Sequence, residues 1–107
     1  MLRTVIADAL REDGYAVDTA PDGQHALELA RVYPPDLVIL DLMMPYIDGE
    51  AFSSALRQIE GLNATPILLV SASRRVEEVG ARIGAEVALR KPFDLFELTD
   101  RVNQLLG

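Results

Sequence analysis

Three residues of this chain have the types and settings to act on one substrate: Asp41, Ser71 and Lys91. Asp41 closes the run Asp36-Leu37-Val38-Ile39-Leu40-Asp41, whose apolar stretch reads as a strand buried on both faces. Such a strand has no structural use for a terminal carboxylate, because an unpaired one is costly to desolvate. Asp41 is therefore either a turn residue facing water or the centre of a site at the strand's carboxyl end. Ser71 ends a second apolar run, Ile67-Leu68-Leu69-Val70, and Lys91 follows a third, Val87-Ala88-Leu89, directly before Pro92. A carboxylate can attack a phosphoryl group to give an aspartyl phosphate. An ammonium beside it neutralises the phosphoryl oxygens, and a hydroxyl donates to one of them. Taken singly, Ser71 reads as a turn or cap residue and Lys91 as a solvated side chain. The three in register at strand ends favour the chemical reading.

The elements between these runs must bring the three together. Leu2, Val5, Ile6, Ala9 and Leu10 recur at helical spacing, so residues 2–13 read as a helix closed by Gly14. Tyr15 to Ala20 alternates through Val17 and Thr19 and predicts a short strand at the rim of a sheet. Asp22 caps a second helix reaching Val32, which Pro34-Pro35 ends before the Asp41 strand. Met43 to Gly49 reads as a loop, with Gly49 free to take positive φ. A third helix is expected from Glu50 to Ile59. A fourth, capped by Ser73, reaches Ile83 with Val76, Val79, Ala81 and Ile83 as core positions. Asp94 and Glu97 form a capping-box pattern for a last helix that packs Leu98, Val102 and Leu105. Helix first, then strand and helix four times over, predicts an α/β domain with a parallel sheet between helical layers. In such sheets ligands bind beyond the carboxyl ends of the strands, where Asp41, Ser71 and Lys91 lie.

Composition narrows the classes. The 107 residues fit one domain, and half of them are hydrophobic, which excludes a disordered chain. A net charge of −7 argues against direct binding of nucleic acid or an anionic membrane. Without cysteine there is neither a disulfide framework nor a thiolate metal site. No apolar run reaches the ~18 residues of a membrane span, and a cytoplasmic location is expected. His25, the only histidine, sits among polar neighbours and reads as a solvated or packing residue.

The chain resembles the receiver domains of two-component response regulators over nearly its whole length. The resemblance rests on Asp36-Leu37-Val38-Ile39-Leu40-Asp41-Leu42-Met43-Met44-Pro45, on Asp48-Gly49, on Ser71-Ala72, and on Gly84-Ala85 followed by Lys91-Pro92-Phe93. It implies a three-layer αβα, flavodoxin-like fold, with Asp41 as phosphoacceptor, Ser71 as switch hydroxyl and Lys91 as the phosphate-pairing lysine. It also implies a cis Lys91-Pro92 peptide and a histidine kinase or phosphotransfer protein as partner.

Two departures accompany the resemblance. The family opens with an apolar strand ending in an acidic pair that holds Mg2+ together with the phosphoacceptor. Here Met1-Leu2-Arg3 already reads as the first helix, which gives a truncated receiver over residues 1–107 with four strands and five helices. Reading Thr4 to Asp8 as that strand leaves Ala9 to Asp13 as a crossover too short for a parallel connection, so Asp8 is expected on a solvated helix face. Mg2+ would then find only Asp41 and the backbone carbonyl of Met43, an incomplete site with weak or absent binding. The uncovered edge is expected to close against the Val17 strand or to be covered by a homodimer. The second departure is Ala88, where receivers place an aromatic switch residue; a tolerated core variation is the other reading.

Three functions compete. The first is a phosphorelay receiver, impaired in Mg2+-dependent phosphorylation. The second is an interaction module that works without phosphorylation. The third, a phosphohydrolase of the haloacid-dehalogenase type, needs an acidic residue two positions after the nucleophile, where Met43 stands; an enzyme is not expected.

Overall fold

The computed structural model describes residues 2–41 and 48–107. Among them the chain forms α1 (Leu2–Glu12), α2 (Gly23–Val32), β1 (Val38–Asp41), α3 (Gly49–Gln58), β2 (Ile67–Ser71), α4 (Val76–Ile83), β3 (Val87–Arg90) and α5 (Leu95–Leu106). The strands are parallel in the order β1-β2-β3, with Val38 opposite Ile67 and Leu68 opposite Val87.

Strand alternation divides the core into two layers. Leu40, Ile67 and Leu69 face Ala30, Phe52, Leu56, Val76 and Ile83 of α2, α3 and α4. Leu68, Val70 and Leu89 face Ile6 and Leu10 of α1 and Leu98 and Val102 of α5. All five residues of β2 are buried, as expected of a central parallel strand. The expected αβα architecture and its five helices are present.

Several local expectations are corrected. Tyr15 to Ala20 is not a strand: it joins no ladder, so the described sheet has three strands where four were expected. Alternation favours extended backbone but cannot supply the neighbouring edge that a strand needs to pair. In β3 Leu89 is buried, Val87 and Ala88 are half-buried and Arg90 is exposed. Gly49 starts α3 as a helical residue, and the described positive-φ glycines are Gly14, Gly61 and Gly84. Asp48, expected within the loop, caps α3 by accepting the Glu50 and Ala51 N–H groups at 3.0 and 3.2 Å. Ser73 Oγ accepts the Arg75 N–H one turn before α4 and so orders the approach to that helix without capping it. Ala81 is exposed, since it lies on the side of α4 away from the sheet.

Other local signals hold. Asp22 caps α2 by accepting the His25 N–H at 2.9 Å, and Asp94 caps α5 by accepting the Phe96 N–H at 2.8 Å. Asp8 is an exposed residue inside α1, 3.5 Å from Arg11.

Candidate functional site

The carboxyl edge of the sheet gathers the three sequence-selected residues. Asp41 is the last residue of β1, Ser71 the last of β2, and Lys91 follows the last residue of β3. β1 and β3 flank β2 and do not pair, yet their ends converge over it. The Lys91 Nζ donates to Asp41 Oδ2 at 2.7 Å, with both side chains only about one-fifth exposed (21% and 23%). Partial burial strengthens this charge-assisted bond relative to one in open solvent.

Backbone links hold the edge in place. The Lys91 N–H donates to the Ser71 carbonyl at 2.8 Å, which fixes the start of the Lys91-Pro92 turn against β2. The Lys91-Pro92 peptide is cis, as the resemblance implied. Ser71 is buried, and its Oγ accepts the Ser73 N–H at 3.1 Å. A hydroxyl that accepts one bond keeps its own O–H to donate. Met43 and its carbonyl lie outside the described residues.

Ala88 is half-buried in β3 and packs directly under α4. A Cβ placed on Gly80 would lie 3.0 Å from the Ala88 Cβ, so the two small residues let helix and strand approach closely. The Gly80–Ala88 match was not visible in sequence, because nothing in Gly80's local setting shows which strand residue it meets.

His25 has a partner that sequence reading missed. Its Nδ1 lies 2.8 Å from both oxygens of Asp22. The Asp22 hydrogen bond, reinforced by the carboxylate's charge, raises the imidazole pKa. Hydrogen bonds from the His25 backbone and ring lower that of Asp22. The spacing of three residues across a helix start was the available signal. At the start of α4, Arg75 pairs with Glu78 at 3.0 Å, and Glu78 also meets Arg82 at 3.5 Å. These exposed pairs make a mixed-charge helix surface.

A model of the response regulator receiver domain matches residues 1–103. The chain belongs to this family. The receiver is 41% identical over 99 residues to the transcriptional regulatory protein PrrA of Mycobacterium tuberculosis, covering 91% of this chain and 42% of that protein. It is 38% identical to the alkaline phosphatase synthesis transcriptional regulatory protein SphR of Synechococcus elongatus, covering 99% of this chain and 45% of that one. The chain thus spans less than half the length of these curated relatives. Among solved structures it resembles the chemotaxis protein CheY4 of Vibrio cholerae, with a TM-score of 0.86 at 32% identity, over 97% of this chain and 88% of that one. The Francisella response regulator 1452 receiver domain gives 0.83 at 35%, over 97% and 86%. Receiver domains of two-component systems are signalling modules that work with histidine kinases or phosphotransfer proteins. Among this receiver's described residues no helix is long and apolar enough to cross a membrane.

Receiver domains generally use Mg2+ in phosphorylation. Mg2+ demands near-octahedral oxygen coordination. Among the described residues no group of three or more His, Cys, Asp and Glu side chains is placed to hold a metal, and Asp41 Oδ2 is engaged by Lys91.

Proposed function

We propose that Asp41 is the phosphoacceptor of this receiver, that Lys91 pairs with the incoming phosphoryl oxygens, and that Ser71 donates its hydroxyl to one of them. The observation carrying this reading is the 2.7 Å contact between Lys91 Nζ and Asp41 Oδ2 at the carboxyl edge of a parallel sheet. An Asp41 oxygen attacks phosphorus on a phosphohistidine. The new P–O bond forms as the P–N bond breaks, and the imidazole leaves with the electron pair and takes up a proton. Lys91, freed from the carboxylate as charge moves to the phosphoryl group, follows that charge. Transfer of this kind depends on neutralisation. One carboxylate and one ammonium are a sparse set for it, so residues 1–107 are expected to accept phosphate slowly.

A second reading, an interaction module that works without phosphorylation, is favoured by Ala88. Ala has no rotamer to change when Ser71 moves, and the close Gly80 contact leaves little room beside it. Intact mass after incubation with acetyl phosphate and Mg2+ separates the two. A gain of one phosphoryl group that disappears in Asp41→Ala supports the first reading. An unchanged mass in folded protein removes it and leaves the second.

A further inference from the structure

Ser71 is held at both of its oxygens. Its carbonyl accepts the Lys91 N–H at 2.8 Å, and its Oγ accepts the Ser73 N–H at 3.1 Å. The residue is buried, so protein groups set where its hydroxyl sits. Ser73 stands exposed two residues further on. Its own Oγ accepts the Arg75 N–H at 3.1 Å, and its carbonyl accepts the Val76 N–H at 3.3 Å.

These bonds run in one direction. Arg75 donates to Ser73, Ser73 donates to Ser71, and the Ser71 hydroxyl keeps its own proton to give. A hydroxyl that accepts an N–H two residues on closes a local turn of the backbone. Such a turn commonly leads into a helix as its cap. Here the N-cap residue of α4 is Arg75, and no side chain caps that helix start. The bond from the Arg75 N–H instead fixes the backbone of residues 73–75, and with it the direction of the Ser73 N–H. That N–H occupies one lone pair of Ser71 Oγ, so the hydroxyl is oriented before any acceptor arrives. A bond accepted at the oxygen also polarises the O–H and strengthens what it donates. Both effects reach the sheet edge through Ser71.

We infer that Ser73 is a positioning residue for Ser71: its hydroxyl fixes the turn whose N–H presents the Ser71 O–H to a phosphoryl group on Asp41. This role rests on Asp41 as phosphoacceptor and Ser71 as donor. The Ser71 proton stays on its oxygen throughout, and residue 73 sets only its direction and its strength as a donor. Position 73 therefore needs a short side chain that carries an acceptor. Asparagine makes the same bond to an N–H two residues on, whereas alanine makes none.

The test follows the phosphorylation rate of the 107-residue chain by intact mass, with acetyl phosphate and Mg2+. It compares the unchanged chain with Ser71→Ala, Ser73→Ala, Ser73→Asn and the double alanine variant. Ser71→Ala is expected to slow the reaction about tenfold or more, the loss of one aimed donor. Ser73→Ala should slow it severalfold, and Ser73→Asn should restore most of the rate. Once residue 71 is alanine, Ser73→Ala should change the rate by less than about twofold, since the two act as one unit. A general weakening of α4 would slow both backgrounds alike. Amide exchange at residue 73, read without a phosphoryl donor, should quicken severalfold in Ser71→Ala. A full effect of Ser73→Ala in the Ser71→Ala background, no rescue by asparagine, or unchanged exchange at residue 73 would each overturn the role of Ser73 alone. An unchanged chain that gains no phosphoryl group, or a rate that Ser71→Ala leaves as it was, removes the reading of Asp41 and Ser71 and the role of Ser73 with it.

Discussion

Lys91 Nζ reaches Asp41 Oδ2 at 2.7 Å across the end of a strand to which neither residue belongs. The pair spans the sheet from β1 to the turn after β3. Removing Lys91 leaves a partly buried carboxylate short of its cation, whereas removing both leaves none. Lys91→Ala is expected to cost about 1–2 kcal/mol, between the values for surface and buried pairs. Asp41→Ala combined with Lys91→Ala should cost less than the sum of the single changes. Urea unfolding of the four proteins gives the coupling.

Glu86 completes the β2–β3 ladder with its side chain. Its Oε1 accepts the Ile67 N–H at 3.0 Å, while its own N–H donates to the Ile67 carbonyl at 3.0 Å. Ile67 is fully buried, but Glu86 is exposed, so water can take over part of the lost bond. Glu86→Ala should destabilise by about 1 kcal/mol, the low end for an orphaned donor. Glu86→Gln keeps an acceptor and should retain most of that stability in thermal unfolding.

Gly80 sets the spacing between α4 and β3. Alanine would gain about 1 kcal/mol in helix propensity. Its Cβ would also stand 3.0 Å from the Ala88 Cβ, and overpacking of this kind costs about 1–3 kcal/mol. The crowding wins, because Ala88 is fixed on a paired strand. Gly80→Ala is expected to lower the unfolding midpoint, and adding Ala88→Gly should recover part of the loss.

The Asp22–His25 pair makes the start of α2 sensitive to pH. The His25 pKa is raised in the fold, so its contribution is complete below the unfolded value of about 6.5 and disappears as pH rises through the folded one. The Asp22 pKa is lowered, so its contribution is complete above about 3.9 and disappears as pH falls through the folded value. The pair supports α2 most between those limits, weakly and in a salt-dependent way, because His25 is exposed and Asp22 only half-buried. An NMR titration should place His25 above 6.5, and Asp22→Asn should return it toward that value.

The sequence by itself determined the family, the order of helices and most caps. Those signals are local: helical periodicity, Asp before a helix, apolar runs bounded by Gly and Pro. It also selected Asp41, Ser71 and Lys91, because three polar residues closing successive apolar runs stand out together where each alone would not. Tertiary structure decided what depends on neighbours. Tyr15 to Ala20 alternates like a strand but has no edge to pair with, and alternation encodes a preference for extended backbone, not the presence of a partner. The Gly80–Ala88 approach and the Ile67–Glu86 closure join residues from different elements, which no spacing along the chain reveals.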